Sequence, residues 1–351
     1  MTAPLDQILD DLARLVAHDT QNPPRALTAD APLFDDLRRR LPGFECAVTD
    51  FGDGCLAFLA KRGAPRTLFN VHLDTVPVAP GWTHDPFTLH RGDERATGLG
   101  ACDIKGAAAC LFAAAEATDA PTAFLFTTDE EAGDSAAVRG YLATDPDFDR
   151  VIVCEPTGAR AIGGHRGIYS AEAVFTGQSG HASKPGRSAV HEAARWIAAA
   201  LEASETADMR LNFGRIEGGL KPNMIAGECR VRFGMRARAG TAPEPVVEQL
   251  HALAGDALAS LETRFKGPAL PETKEALGRQ DALLADLARL GIETAEPVDF
   301  WTEASLFAAA GLPAVVLGPG DIAQAHTADE WVAYANLAAA CEAFVRIMTD
   351  A

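Results

Sequence analysis

Four short apolar runs, Thr67–Val71, Ala123–Phe126, Val151–Cys154 and Ala314–Leu317, are bounded by Gly, Pro or Asp and separated by helix-like stretches such as Ile104–Ala117. Neighbouring parallel strands need a long crossover between them, which a helix supplies. The alternation therefore predicts an α/β fold with a mostly parallel sheet and helices on both faces. The chain opens on an amphipathic helix, because Leu5, Ile8, Leu9, Leu12, Leu15 and Val16 recur at helical spacing. That helix is expected to stop before Asn22-Pro23-Pro24. A last helix is expected from Glu330 to Met348.

The 351 residues exceed one ordinary core and imply roughly two domains. The middle of the chain has a different rhythm. His165–Thr176, Met209–Ile216, Met224–Ala237 and Thr263–Lys266 read as strands, and Ser188–Ala203 and Pro243–Leu261 read as helices. In Met224–Ala237 the apolar Val231, Phe233 and Met235 alternate with Arg230, Arg232 and Arg236. The order is β-α-β-β-α-β, the split βαβ arrangement. The expectation is a catalytic domain formed by 1–163 and 268–351, with an inserted α+β domain at 164–267. Gly163-Gly164 and Gly267-Pro268 would be the hinges.

Composition narrows the function classes. With 31 Lys+Arg against 49 Asp+Glu the net charge is −18, a field that repels phosphate backbones and anionic membranes. No nucleic-acid or membrane partner is expected. The N-terminus has no cationic stretch followed by an apolar run, and Ala107–Ala115 is too short to span a bilayer. Cys46, Cys55, Cys102, Cys110, Cys154, Cys229 and Cys341 are scattered singly, a pattern expected of reduced, mostly buried thiols in the cytoplasm.

The chemistry lies just past the predicted strands. Thr67–Val71 runs into His72-Leu73-Asp74, Ala123–Phe126 leads to Asp129-Glu130-Glu131, and Val151–Cys154 runs into Glu155. Ala314–Leu317 leads through Gly318-Pro319-Gly320-Asp321 to His326, and Asp103 precedes a helix. In an open parallel sheet the strand carboxyl ends share one crevice. Nitrogen and oxygen donors of this kind suit zinc or a neighbouring divalent ion, and their count suits two ions bridged by a carboxylate such as Asp103. Singly each feature is weak: a lone His after a strand is commonly structural, and an acidic triplet is commonly a solvated turn. Their joint occurrence at successive strand ends is what points to a metal centre.

These residues sit in runs that resemble the acetylornithine deacetylase / succinyl-diaminopimelate desuccinylase family of metallohydrolases. The runs are Asn70–Pro77, Gly98–Gly106, Asp129–Glu131, Ser179–Ser183, Val298–Phe307 and Gly318–Glu330, in order along nearly the whole chain. The resemblance implies that His72 and Glu155 bind one zinc, that Glu131 and His326 bind the other, and that Asp103 bridges. It implies that Asp74 orients His72 and that Glu130 is the general base. It also implies that the inserted domain is a lid and dimerisation domain of a homodimer. His181, Asn223 and Arg236 would be its substrate-contacting residues, His181 acting in the partner subunit's site. Arg236 is the candidate for the substrate α-carboxylate, since a guanidinium binds that group bidentately. One run departs from the family: Leu99-Gly100-Ala101-Cys102-Asp103-Ile104-Lys105-Gly106 stands where many relatives have Arg-Gly-x-x-Asp-Met-Lys-Gly.

The expected reaction is hydrolysis of an N-acetylated amino acid to acetate and the free amino acid, with two zinc ions, or cobalt or manganese in their place. The side chain is left open between a neutral ureido tail and a cationic one. Another N-acyl amino acid or dipeptide hydrolase is the nearest rival. A catalytically silent metal carrier is the rival from another class, and Glu130 beside Glu131 counts against it, because a binding site needs no extra carboxylate.

Overall fold

The computed structural model describes residues 5–132, 134–203, 209–273 and 275–350. They form two compact units: Met1–Gly164 with Leu277–Pro297 and Thr302–Ala351, and His165–Ala276 with Val298–Trp301.

The first unit is built on an eight-stranded sheet. Its strand order is Glu45–Asp50, Leu56–Arg62, Thr122–Thr127, Thr67–His72, Arg150–Val153, Ala314–Val316, Ala161–Ile162, Thr294–Ala295. The four central strands are parallel. Glu45–Asp50 and Leu56–Arg62, not read from the sequence, form an antiparallel hairpin that extends one side. Every residue of Thr67–His72 and Thr122–Thr127 is buried, as central strands covered on both faces must be. Their side chains interlock with the helices: Phe69 meets Phe344 and Phe124 edge-on, and Phe126 meets Phe112. The helix Lys105–Glu116 is buried from Lys105 to Ala115. Its alanines leave room for the helices Leu5–Val16 and Tyr334–Thr349 in the same core. Four strand ends thereby point to one edge, and His72, Glu130, Glu131 and Glu155 follow three of them.

The second unit carries a four-stranded antiparallel sheet in the order Asn212–Gly218, Glu228–Met235, Ile168–Thr176, Leu258–Gly267. With helices Ala189–Glu202 and Glu244–Ala254, this is the expected β-α-β-β-α-β order. Its element boundaries differ from the sequence reading at several places, and two of the differences have a clear local cause. The helix expected over Pro243–Leu261 ends at Ala254, because Gly255 takes φ 61°, a positive-φ conformation that glycine adopts readily and that breaks the helical path. Leu258–Leu261 then joins the last strand. The strand expected over Met224–Ala237 is interrupted at Ala226-Gly227, and Met224–Ile225 pairs instead with Gly180–His181. The final helix of the first unit likewise starts at Tyr334, because Trp331–Ala333 pairs as a strand with Arg95–Thr97.

Trp196 anchors the second unit's core. It is 2% exposed, its indole N–H donates to Leu250 O at 2.8 Å, and its ring lies 5.2–5.6 Å from Phe175, Phe213 and Phe233. Trp196→Ala is expected to destabilise the protein by about 3–5 kcal/mol, read as a lower urea midpoint. A loss under about 1 kcal/mol would mean that the core closes over the gap.

Candidate metal centre

Asp103 stands between two histidines. One carboxylate oxygen lies 3.0 Å from His72 Nε2 and the other 3.4 Å from His326 Nε2. His72 Nε2 is also 3.6 Å from Glu155, and His326 Nε2 is 3.1 Å from Glu131. Donor atoms of His72, Asp103 and Glu131 all lie within 4.8 Å of one another. The structure thus brings close together His72, Asp103, Glu131, Glu155 and His326, the five residues expected to ligate metal.

Backbone geometry puts them there. His72 and Glu155 extend from adjacent parallel strands. His72 Nδ1 faces Asp74 O at 3.0 Å and Asp74 Oδ1 at 3.5 Å, which leaves Nε2 for Asp103. The buried Asp74 carboxylate accepts from the backbone N–H of Glu130 at 3.3 Å and of Glu131 at 3.0 Å, and from Asn22 Nδ2 at 2.9 Å. Asn22 also donates to Ala132 O at 3.1 Å. Asp103 rides on a turn that needs Gly100 at φ 77°, where a Cβ would lie 2.7 Å from Thr75. The peptide after Asp103 is cis. His326, 52% exposed, holds φ 58°, a left-handed conformation costing a non-glycine residue roughly 1–2 kcal/mol. Non-glycine residues held at positive φ, as His326 is, cluster at functional sites.

The charges are crowded. Glu130 keeps some exposed surface, yet its carboxyl is pushed well above its ordinary value by burial and by Glu155, Glu131 and Glu303, against the pull of His72. Burial and the acidic neighbours Asp103 and Glu131 lift Glu155 to about 7, with His72 opposing. Burial also lifts Glu131. Burial opposes charge on His72, but Glu155, Asp103 and Asp74 outweigh it and raise its pKa. Hydrogen bonds that His326 donates to Asp103 and Glu131 raise its pKa to about 11. Burial would raise Asp103, but the two histidines hold it low. Carboxylates packed this closely repel, and divalent cations among them relieve that repulsion. The donor set, two imidazoles and three carboxylates, fits two such ions.

Neither cysteine beside a ligand joins the donors. The Cys102 thiol faces Asp321 O at 3.3 Å beneath Gly320, and Cys154 is buried in the apolar core. Burial pushes both thiols up.

Three site residues escaped the sequence reading. Glu303 is 1% exposed and lifted to about 8 by burial and by Asp129, Asp74 and Glu155, with His72 opposing. In its better-satisfied orientation the Asn70 amide donates to Glu303 at 3.0 Å. Asn22 braces Asp74, and Glu330 accepts the Asp103 backbone N–H at 2.9 Å. The only sequence signal was that Glu303 and Glu330 fell inside runs that carry the family resemblance.

His181, Asn223 and Arg236 belong to the second unit. His181 and Asn223 are exposed and lie on one short ribbon, where Ala182 N–H donates to Asn223 O at 3.0 Å. The His181 Nδ1 lies 2.8 Å from Ser183 Oγ and accepts from Ser183 N–H at 3.2 Å. Its Nε2 is therefore the nitrogen left to donate. Arg236 is half-buried and its guanidinium has no hydrogen-bond partner among the described residues; burial lowers its pKa.

Comparison with known proteins gives the family. The profile of peptidase family M20/M25/M40 matches residues 68–350. N-acetyl-L-citrulline deacetylase of Xanthomonas campestris pv. campestris is 46% identical over 99% of both chains. Acetylornithine deacetylase of Edwardsiella ictaluri is 32% identical over 77% of this chain and 76% of its own. Among solved structures, aminopeptidase PepT of Bacillus cereus superposes with a TM-score of 0.78 at 19% identity, covering 99% of this chain and 98% of its own. The YXEP protein of Bacillus subtilis, described as a dinuclear metal-binding peptidase, superposes at 0.69 with 14% identity, covering 98% and 97%. The chain belongs to peptidase family M20/M25/M40.

Proposed function

We propose that this protein hydrolyses N-acetyl-L-citrulline to citrulline and acetate, using two zinc ions, with cobalt able to replace them. The observation that carries the reading is Asp103 held between His72 and His326, each histidine with its own further carboxylate. The 46% likeness to an N-acetyl-L-citrulline deacetylase over nearly the full length supports the substrate.

His72 and Glu155 would hold one ion, Glu131 and His326 the other, and Asp103 both. When bound, the ions supply Lewis acidity toward the amide carbonyl and make water more acidic. Glu130 takes a proton from the attacking water and returns it to the leaving amine. Asp74 keeps the His72 ring in one tautomer and orientation. The His181 Nε2–H donates to the oxyanion that develops on the carbonyl. Arg236 pairs with the substrate α-carboxylate, and Asn223 contacts substrate beside His181.

The segment 164–267 acts as lid and dimerisation domain, and His181 serves the partner subunit's site in a homodimer. A cytoplasmic location is supported by seven cysteines that form no disulfide among the described residues. Among the described residues no helix is long and apolar enough to cross a membrane. N-acetyl-L-ornithine is the second substrate reading, favoured by the 32% likeness to an acetylornithine deacetylase.

On zinc-loaded protein, kcat/KM for N-acetyl-L-citrulline is expected to exceed that for N-acetyl-L-ornithine, measured by free-amine release. The reverse order would transfer the assignment to ornithine. Glu130→Gln should retain both metal ions by elemental analysis while kcat falls about 10²–10⁴-fold; full activity would remove its role as base. His181→Ala should lower kcat about 10²–10³-fold with metal content unchanged, and unaltered kinetics would exclude it as the oxyanion donor.

A further inference from the structure

Glu330 is a carboxylate in an unusual position. It is 2% exposed, and its side-chain carboxylate accepts from three backbone N–H groups of the turn that carries Asp103. One oxygen accepts from Gly100 at 3.0 Å; the other accepts from Cys102 at 2.8 Å and from Asp103 itself at 2.9 Å. The Glu330 carbonyl takes a fourth bond, from Gly98 N–H at 3.0 Å. The buried Lys105 ammonium compensates part of the charge.

We propose that Glu330 is a positioning residue that fixes Asp103 relative to His326, so that one carboxylate can reach two metal ions at once. The inference rests on the two-metal reading above.

The chain itself supplies the lever. Glu330 lies four residues beyond His326 in the sequence, and its carboxylate grips a turn 227 residues away. The Asp103 nitrogen is two bonds from Cβ. Holding it sets where the carboxylate stands between His72 at 3.0 Å and His326 at 3.4 Å. A carboxylate is needed because both oxygens face donors only. Glutamine offers one acceptor oxygen and would turn its amide NH₂ against an N–H. Aspartate is one methylene too short to span the same distance.

The test compares the parent with Glu330→Gln and Glu330→Asp, each stripped of metal and titrated with Co²⁺ alone. Calorimetry reads stoichiometry and affinity, and visible absorption reads Co²⁺ geometry. Both variants are expected to bind the ions about 10–100-fold more weakly. The Co²⁺ bands should change shape, and kcat should fall more than KM rises. Parent affinity and spectrum in a folded variant, even one with a lower Tm, would reduce Glu330 to a structural residue. Hydrogen exchange of the metal-free parent tests the idea without any substitution. The amides of Gly100, Cys102 and Asp103 should exchange slowly before metal is added, and fast exchange there would overturn the proposal. A parent that binds fewer than two Co²⁺ ions would instead overturn the two-metal reading itself.

Discussion

Buried carboxylates repel one another, and this protein gathers Asp103, Glu130, Glu131, Glu155 and Glu303 around a single pair of histidines. Such a cluster does not hold its shape by mutual attraction. It is held from behind. Asp74 and Glu330 are also acids, but they direct their oxygens at the backbone N–H groups of the two ligand-bearing loops. Backbone anchoring of this kind places a ligand to a fraction of an ångström, as a metal site requires. The crowding and the anchoring are two halves of one arrangement: the first creates an attraction for cations, and the second keeps the ligands from relaxing apart.

The sheet makes this arrangement possible. Parallel central strands deliver His72, Glu155 and the Asp129–Glu131 loop to the same edge, and burial of Thr67–His72 and Thr122–Thr127 along their whole length keeps their ends in register. The alanine-rich helix behind them sits close because its side chains are small. The second unit has its own core around Trp196 and its own sheet. Its polar ribbon carrying His181 and Asn223 is built independently of the metal ligands.

Much of this was legible in the chain. The four central strands, the opening helix and the β-α-β-β-α-β order all follow from periodicity, and the metal-type side chains stand directly after the strands. The failures have a common cause. Gly255 lay inside an apolar pattern that reads as helix, and only its positive φ shows that the helix stops there. Trp331–Ala333 reads as the first turn of a helix until Arg95–Thr97 offers it a strand partner. Glu303 and Glu330 look like surface acids at helix starts, because nothing local says that a distant loop will cover them.

The sequence by itself determined which residue types are available and in what order: an alternation of strand and helix, and donors of nitrogen and oxygen at successive strand ends. The tertiary structure alone decided which oxygen of Asp103 faces which histidine, and that Glu330 reaches across 227 residues to hold that loop. Spacing along a chain sets local conformation through the 2-residue and 3.6-residue periods. Contacts between distant segments depend on how sheet and helices pack, and no local period encodes that.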